Sequence, residues 1–327
     1  MTAMDRALAV LDRAGISLTL VDVGASLEPF RAFRPLLGHA TYVGFDPDRR
    51  EMHTEASERG RRVVVDKAVV AEPDRATARF FLTANPTASS TLRPLEDAAA
   101  PWLHAYRFGV VREVEVPATT LGRALADAGL ARVDWLKLDT QGTDLRLLAS
   151  LDEPLLATVM AVDAEPGIDP YYEGEDTFGD LHRWMVERGF WLADLELTEA
   201  VRLRAGTCEA MLRPRTKLDR RRLEFALKPS PVAVGPRYLR TLAWLEKVGA
   251  PREDYLRLWA CAFASGNHPY ALDVAVECRE RHGDDPDVTE LIDLSVRRNR
   301  ADARRGLWRL ARKVTPRNVR RFLTKPY

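Results

Sequence analysis

Four short apolar runs in this chain each end in groups that can hold a ligand or act on one. They close as Val21-Asp22-Val23-Gly24-Ala25-Ser26, Phe45-Asp46-Pro47-Asp48, Val65-Asp66-Lys67-Ala68 and Lys137-Leu138-Asp139-Thr140-Gln141-Gly142. A residue without a Cβ at Gly24 lets a ligand come close to the backbone. An acid after the second run, Asp46, is placed to accept hydrogen bonds from ribose hydroxyls, with Pro47 next to it. An acid after the third, Asp66, can accept from an adenine amino group, beside Lys67 and Ala68. Taken singly, Asp22, Asp46 or Asp139 reads more simply as the N-cap of a following helix. Taken together, the runs describe an adenosine pocket contacted by Asp22, Gly24, Ala25, Ser26, Asp46, Pro47, Asp66, Lys67 and Ala68.

The adenosine could belong to NAD or to S-adenosyl-L-methionine. A dinucleotide asks for several glycines, so that a helix N-terminus can reach the pyrophosphate. Here Gly24 is followed by Ala25, Ser26, Leu27 and Glu28, and a carboxylate at Glu28 would repel a pyrophosphate. S-adenosyl-L-methionine carries no phosphate, so it is the expected cofactor. No His/Cys/Asp cluster has metal-ligand spacing, and no metal is expected.

Such a pocket needs strands whose carboxyl ends share one edge. Apolar spacing predicts a helix over 3–14, stopped by Gly15, and a strand over Leu18–Val23 that is buried on both faces. Further strands are expected at 41–46, 62–65, 133–139, 158–162 and 190–197, and a more exposed one at 75–83. Helices are expected at 28–37, 48–59, 120–129, 143–151 and 177–188, and a small-polar loop at 85–91. This alternation predicts an α/β fold with a Rossmann-like, doubly wound, mostly parallel sheet. After about residue 215 no strand signal remains, and amphipathic helices are expected at 237–248, 252–265, 269–282 and 287–297. The chain then divides into an α/β domain (1–214), a proline-bearing linker (215–236), an all-α module (237–298) and a basic tail (299–327).

Of the 327 residues, 46% are hydrophobic and 30% charged, which excludes wholesale disorder. Three scattered cysteines, Cys208, Cys261 and Cys278, cannot form a disulfide framework and fit a reducing, cytoplasmic setting. The first fifteen residues make a poor signal peptide. No apolar run approaches the roughly 20 residues of a membrane span. The net charge of +1 hides an asymmetry: residues 297–327 carry twelve basic residues and one acid, Asp302, leaving −10 on the first 296. In that tail Leu307, Leu310, Ala311 and Val314 share a helical face edged by Trp308. It reads as a peripheral helix on an anionic membrane surface, or as a segment docked on the acidic body. Nucleic acid is the less favoured partner.

The segments 20–26, 42–48, 65–69, 88–92, 116–121 and 133–144, in their order and spacing over about residues 18–200, resemble the FkbM-type methyltransferases. The Leu136-Lys137-Leu138-Asp139 block is the most specific of them. The resemblance implies a class I methyltransferase fold that transfers a methyl group from S-adenosyl-L-methionine to a hydroxyl, often of a sugar, glycan or other natural product. Ser26 and Glu28 stand where the family usually has Asn and Gly, and Gln141 and Asp144 where it usually has Glu. Methyl transfer to an alcohol needs the hydroxyl proton removed. Asp139 is the first candidate to do so or to orient the acceptor, and Glu165 is the second. Lys137 is either catalytic or a buried amine in the sheet. Ser89, Ser90, Thr91, Gln141 and His104 are candidates for contacting the acceptor, although His104, like His182, can equally be a core or surface histidine. Two other readings stay open: a degenerate methyltransferase fold serving as a scaffold, and a nucleotide-dependent oxidoreductase. The oligomeric state is not readable from the chain.

Overall fold

A computed structural model describes residues 2–25, 29–47, 60–95 and 102–314, with side chains to residue 306. Helix α1 (Ala3–Arg13) opens on a capping box, in which Asp5 N donates to Thr2 Oγ1 and Thr2 N to Asp5 Oδ2. The central sheet contains β1 (Leu18–Val23), β2 (Ala40–Phe45), β3 (Arg61–Val65), β7 (Trp135–Leu138), β8 (Ala161–Asp163), β9 (Phe190–Ala200) and β10 (Ser230–Arg240). Its order is β3-β2-β1-β7-β8-β10-β9. The first five strands in that order are parallel and the last two pairings antiparallel. A smaller sheet of β4 (Ala68–Val69), β5 (Thr77–Thr83) and β6 (Val110–Thr119) stands beside it. The chain leaves β1 toward β2 and β3 on one side and returns to β7 on the other. The gap between the carboxyl ends of β1 and β7 is therefore a topological switch point, where open parallel sheets bind ligands.

Alternate residues feed two cores, as the pleat requires. Leu18, Leu20, Tyr42, Trp135, Ala161 and Leu239 face one, and Val21, Val23, Phe45, Leu136, Leu138, Val162 and Tyr238 face the other. The second core is closed by α2 (Leu121–Asp127), α3 (Asp144–Ala149), α4 (Glu153–Thr158) and α5 (Phe178–Glu187). The first is closed by α1 and by α7 (Leu242–Val248), α8 (Arg252–Ala264), α9 (His268–His282) and α10 (Pro286–Val314). These late helices are pinned to the foot of the sheet by a buried carboxylate. Asp134 accepts from Thr19 N at 2.7 Å and from Arg132 Nε at 3.0 Å, and Arg257 Nε lies 3.1 Å away.

Several expected elements differ. The segment read as a linker contains α6 (Lys217–Ala226) and most of β10, a strand inside the main sheet. Its prolines disguise it, but a register shift between Pro231 and Ala233 accommodates one of them. Residues 28–37 were expected as a helix. Two 3₁₀ turns, Arg31–Phe33 and Leu37–His39, stand within and just beyond that span, because Pro35 has no N–H to continue a helix. Thr158 ends α4, which Asp152 caps through Leu155 N, so β8 begins only at Ala161. Strand β6 is an addition, marked in the sequence by the alternation Glu113-Val114-Glu115-Val116. The predicted helix 48–59 and the apolar face of the tail lie outside the described residues. Among the described residues, no helix is long and apolar enough to cross a membrane.

Removing one partner from a buried charge cluster leaves the others unpaired and is strongly destabilising. Asp134→Ala should lower the unfolding free energy by about 3 kcal/mol. Urea titration checks this, and a loss under about 1 kcal/mol would mean that the cluster does not anchor the late helices.

Candidate functional site

At the switch point the backbones of β1 and β7 touch. Gly24 has φ +79°, and a Cβ there would overlap the carbonyl oxygen of Asp139. Gly24 N donates to Phe45 O at 2.9 Å and Asp139 N to Val23 O at 3.0 Å, so three strand ends are laced together. Above them opens a hollow of about 780 Å³, its mouth included, lined by Gly24, Asp46, Pro47, Lys67, Ala68, Val69, Phe80, Ser89, Thr91, Asp139 and Gln141 among others. A neighbouring hollow of about 940 Å³ is lined by His104, Arg107, Phe108, Glu165, Tyr171, Tyr172 and Glu175 among others. Asp139, Gln141 and Thr87 belong to both linings.

Asp139 is held from three sides. Gln141 Nε2 donates to its Oδ1 at 2.6 Å, Lys137 Nζ lies 3.4 Å from its Oδ2, and Glu165 hydrogen-bonds with its carboxylate. The charge on Asp139, then burial, then that hydrogen bond push the Glu165 carboxyl up to about 8, so Glu165 keeps its proton at neutral pH. Lys137 donates to Gly24 O at 3.1 Å and pairs with Asp22 Oδ1 at 3.2 Å. Burial pulls its pKa down, but Asp139 and Asp22 outweigh that and hold it above the usual lysine range. It is therefore a charged, buried amine of the sheet.

Lys137 also belongs to a row that crosses four strands. Asp22, Lys137, Asp163 and Arg237 are successive register partners. Arg237 pairs with Asp163 at 2.8 Å, and Trp135 Nε1 donates to the same acid at 2.6 Å. Asp22 is thus turned away from the hollow: its carboxylate accepts from Phe30 N and Tyr42 Oη and does not face a ligand there. Asp66 is likewise absent from the hollow's lining, although its neighbours Lys67 and Ala68 are present, and Ala25 does not line it either. Asp46 does, and is buried. Ser26 lies outside the described residues.

The loops that carry these groups are clamped by residues of several expected roles. Ser90 is fully buried and donates to Gln141 O at 2.8 Å, which supports Gln141 in its left-handed conformation, φ +56°. It is a loop clamp. Ser89 Oγ accepts from Thr83 N, and both Ser89 and Thr91 line the first hollow, not the second. His104 lines the second hollow, 3.4 Å from Tyr171 Oη, and burial together with Arg107 and Arg202 pushes its pKa down, so it is neutral. His182 stacks on Phe178 away from both.

Sequence reasoning named Asp144 without giving it a role, and passed over Glu175 and the aromatic wall. Asp144 Oδ1 accepts from Thr140 N and Oγ1 while its Oδ2 accepts from Glu165 N, tying the ends of β7 and β8 together. Glu175 accepts from Gly167 N, Tyr171 N and Tyr172 N, folding the loop that presents Tyr171 to the stacked ring of Phe108, ring centres 5.2 Å apart. The signal for that wall is the aromatic doublet Tyr171-Tyr172 set between Pro170 and Gly174.

A carboxyl that binds its proton more tightly folded than unfolded loses stability as pH rises from its unfolded value toward its folded one. Between about pH 5 and 8, wild-type stability should fall more than that of Glu165→Gln, by at least about 1 kcal/mol. Parallel stability curves from urea titrations across that range would rule out a Glu165 carboxyl that keeps its proton in the folded protein. Gly24→Ala should destabilise the fold by about 2 kcal/mol or more, since it combines a strained φ with a backbone overlap. Thermal unfolding reads it, and an unchanged melting temperature would contradict the close approach.

No curated protein and no solved structure matches the chain. The family model of the methyltransferase FkbM domain matches residues 22–192, from the charged row in β1 through the start of β9. The chain belongs to the FkbM methyltransferase family.

Proposed function

We propose that the protein is a Rossmann-like, S-adenosyl-L-methionine-dependent O-methyltransferase acting on a hydroxyl of a sugar, glycan or related natural product. The observation that carries this reading is the meeting of two hollows at Asp139. The first fits the cofactor: Gly24 lines it at the switch point between β1 and β7, and the buried acid Asp46 stands where ribose hydroxyls would be held. Pro47, Ala68, Val69 and Phe80 supply apolar surface for the adenine, with Lys67 at the edge. When bound, S-adenosyl-L-methionine supplies an electrophilic methyl group on a sulfonium.

The second hollow fits a sugar-like acceptor. Phe108, Tyr171 and Tyr172 offer ring faces for the C–H face of a pyranose, while Glu165, Gln141 and His104 offer partners for its hydroxyls. Asp139 is the proposed base. Lys137 places a cation and Gln141 an amide donor against its carboxylate, and the neutral Glu165 adds no second charge. Gln141 in place of Glu is consistent with activity, because an amide donates to Asp139 where another carboxylate would crowd it with like charge.

Calorimetry tests the first hollow. Wild type should bind S-adenosyl-L-methionine and its demethylated product, and Asp46→Ala should weaken both about tenfold or more. Binding of NAD alone would favour an oxidoreductase, and binding of neither a scaffold. With a glycoside panel as acceptors, Asp139→Asn should lower kcat by about 10²–10⁴-fold and leave binding of the demethylated product within about threefold. Unchanged kcat would remove Asp139 as the base.

A further inference from the structure

Residues 201–229 leave the sheet between β9 and β10 and form a lobe beside the second hollow. The lobe's inner side is fixed. Cys208 is fully buried, Leu223 and Leu227 pack with Leu103 and Val201, and Arg107 of the hollow wall reaches Glu224 at 3.6 Å. Its outer side is unusual for a protein surface. On α6, Leu218 and Phe225 are seven residues apart and so share a face, and they are 59% and 75% exposed. Lys217, Arg221 and Arg222 flank that stripe and are also exposed. Met211 on the preceding turn, 73% exposed, adds to the apolar surface. Residues 202–228 hold nine Arg and Lys against three acids.

We propose that this face docks on an anionic lipid bilayer. Apolar side chains turned outward and edged by cations form the pattern of a helix lying in a membrane interface, where buried apolar area and anionic headgroups act together. A second copy of the chain is the poorer occupant, because it would bring two net +6 faces together. A nucleic acid would neutralise the cations and leave Leu218, Phe225 and Met211 in water. Because Arg107 of the second hollow's wall lies against Glu224 on α6, docking through the lobe brings that hollow near the lipid surface. The proposal stands on the lobe alone and does not require methyl transfer.

Co-sedimentation of the full chain with vesicles tests it, using phosphatidylcholine alone or with about 30 mol % phosphatidylglycerol. The wild type should bind the anionic vesicles and not the neutral ones. Leu218→Ser with Phe225→Ser, and separately Arg221→Glu with Arg222→Glu, should each weaken binding about tenfold or more at an unchanged melting temperature. Wild-type binding by both double variants overturns the proposal, because another segment would then hold the membrane. So does equal binding to neutral vesicles, or a dimer in sedimentation velocity that the variants dissociate without any vesicle binding.

Discussion

Gly24 and Asp139 come together because the chain reverses its direction of travel across the sheet between β1 and β7. Their backbones meet so closely that no side chain fits at Gly24, and the backbone must take a positive φ to make the turn. That contact sets where both hollows lie. Strand ends that splayed apart would separate the Asp46 side of the site from the Glu165 side, and Asp139 would line only one of them.

Around that contact the protein buries more charge than a sheet usually carries. The row Asp22, Lys137, Asp163 and Arg237 is neutral in sum, each group lying against one of opposite sign in the next strand. This is how four ionisable groups can sit in a low-dielectric layer. The neighbouring pair Asp139 and Glu165 cannot be balanced in the same way, since the one ammonium of Lys137 is shared between Asp139 and Asp22. Glu165 instead keeps its proton, its carboxyl raised first by the charge on Asp139 and then by burial.

The late helices and β10 belong to this architecture. Arg240, at the end of β10, is buried between Phe190 and Trp244, its guanidinium carbon 3.8 and 3.9 Å from their ring centres. It donates to Val159 O, Leu156 O and Arg188 O. Burial, only partly offset by the charge of Glu153, lowers its pKa to about 9. That one side chain joins the C-terminal end of α4, the end of α5 and the first turn of α7, so the helices of the first core and those of the second are locked across the same strand.

Short apolar runs that only a sheet covered on both faces can bury made the parallel strands legible, together with the strand ends where the chemistry-bearing residues cluster. Family membership was legible from the Leu136–Asp139 block and the segments before it. Asp22 and Lys137 were visible as chemistry-bearing residues, but whether they faced a ligand or each other depended on which way the pleat turned them, and register decides that. The strand Ser230–Arg240 was hidden because its prolines speak for a loop locally, while its partner β9 lies thirty residues earlier in the chain. The clamps made by Ser90, Asp144 and Glu175 were also beyond reach. Each joins backbone groups from separate loops, and such contacts exist only after the chain has folded around them.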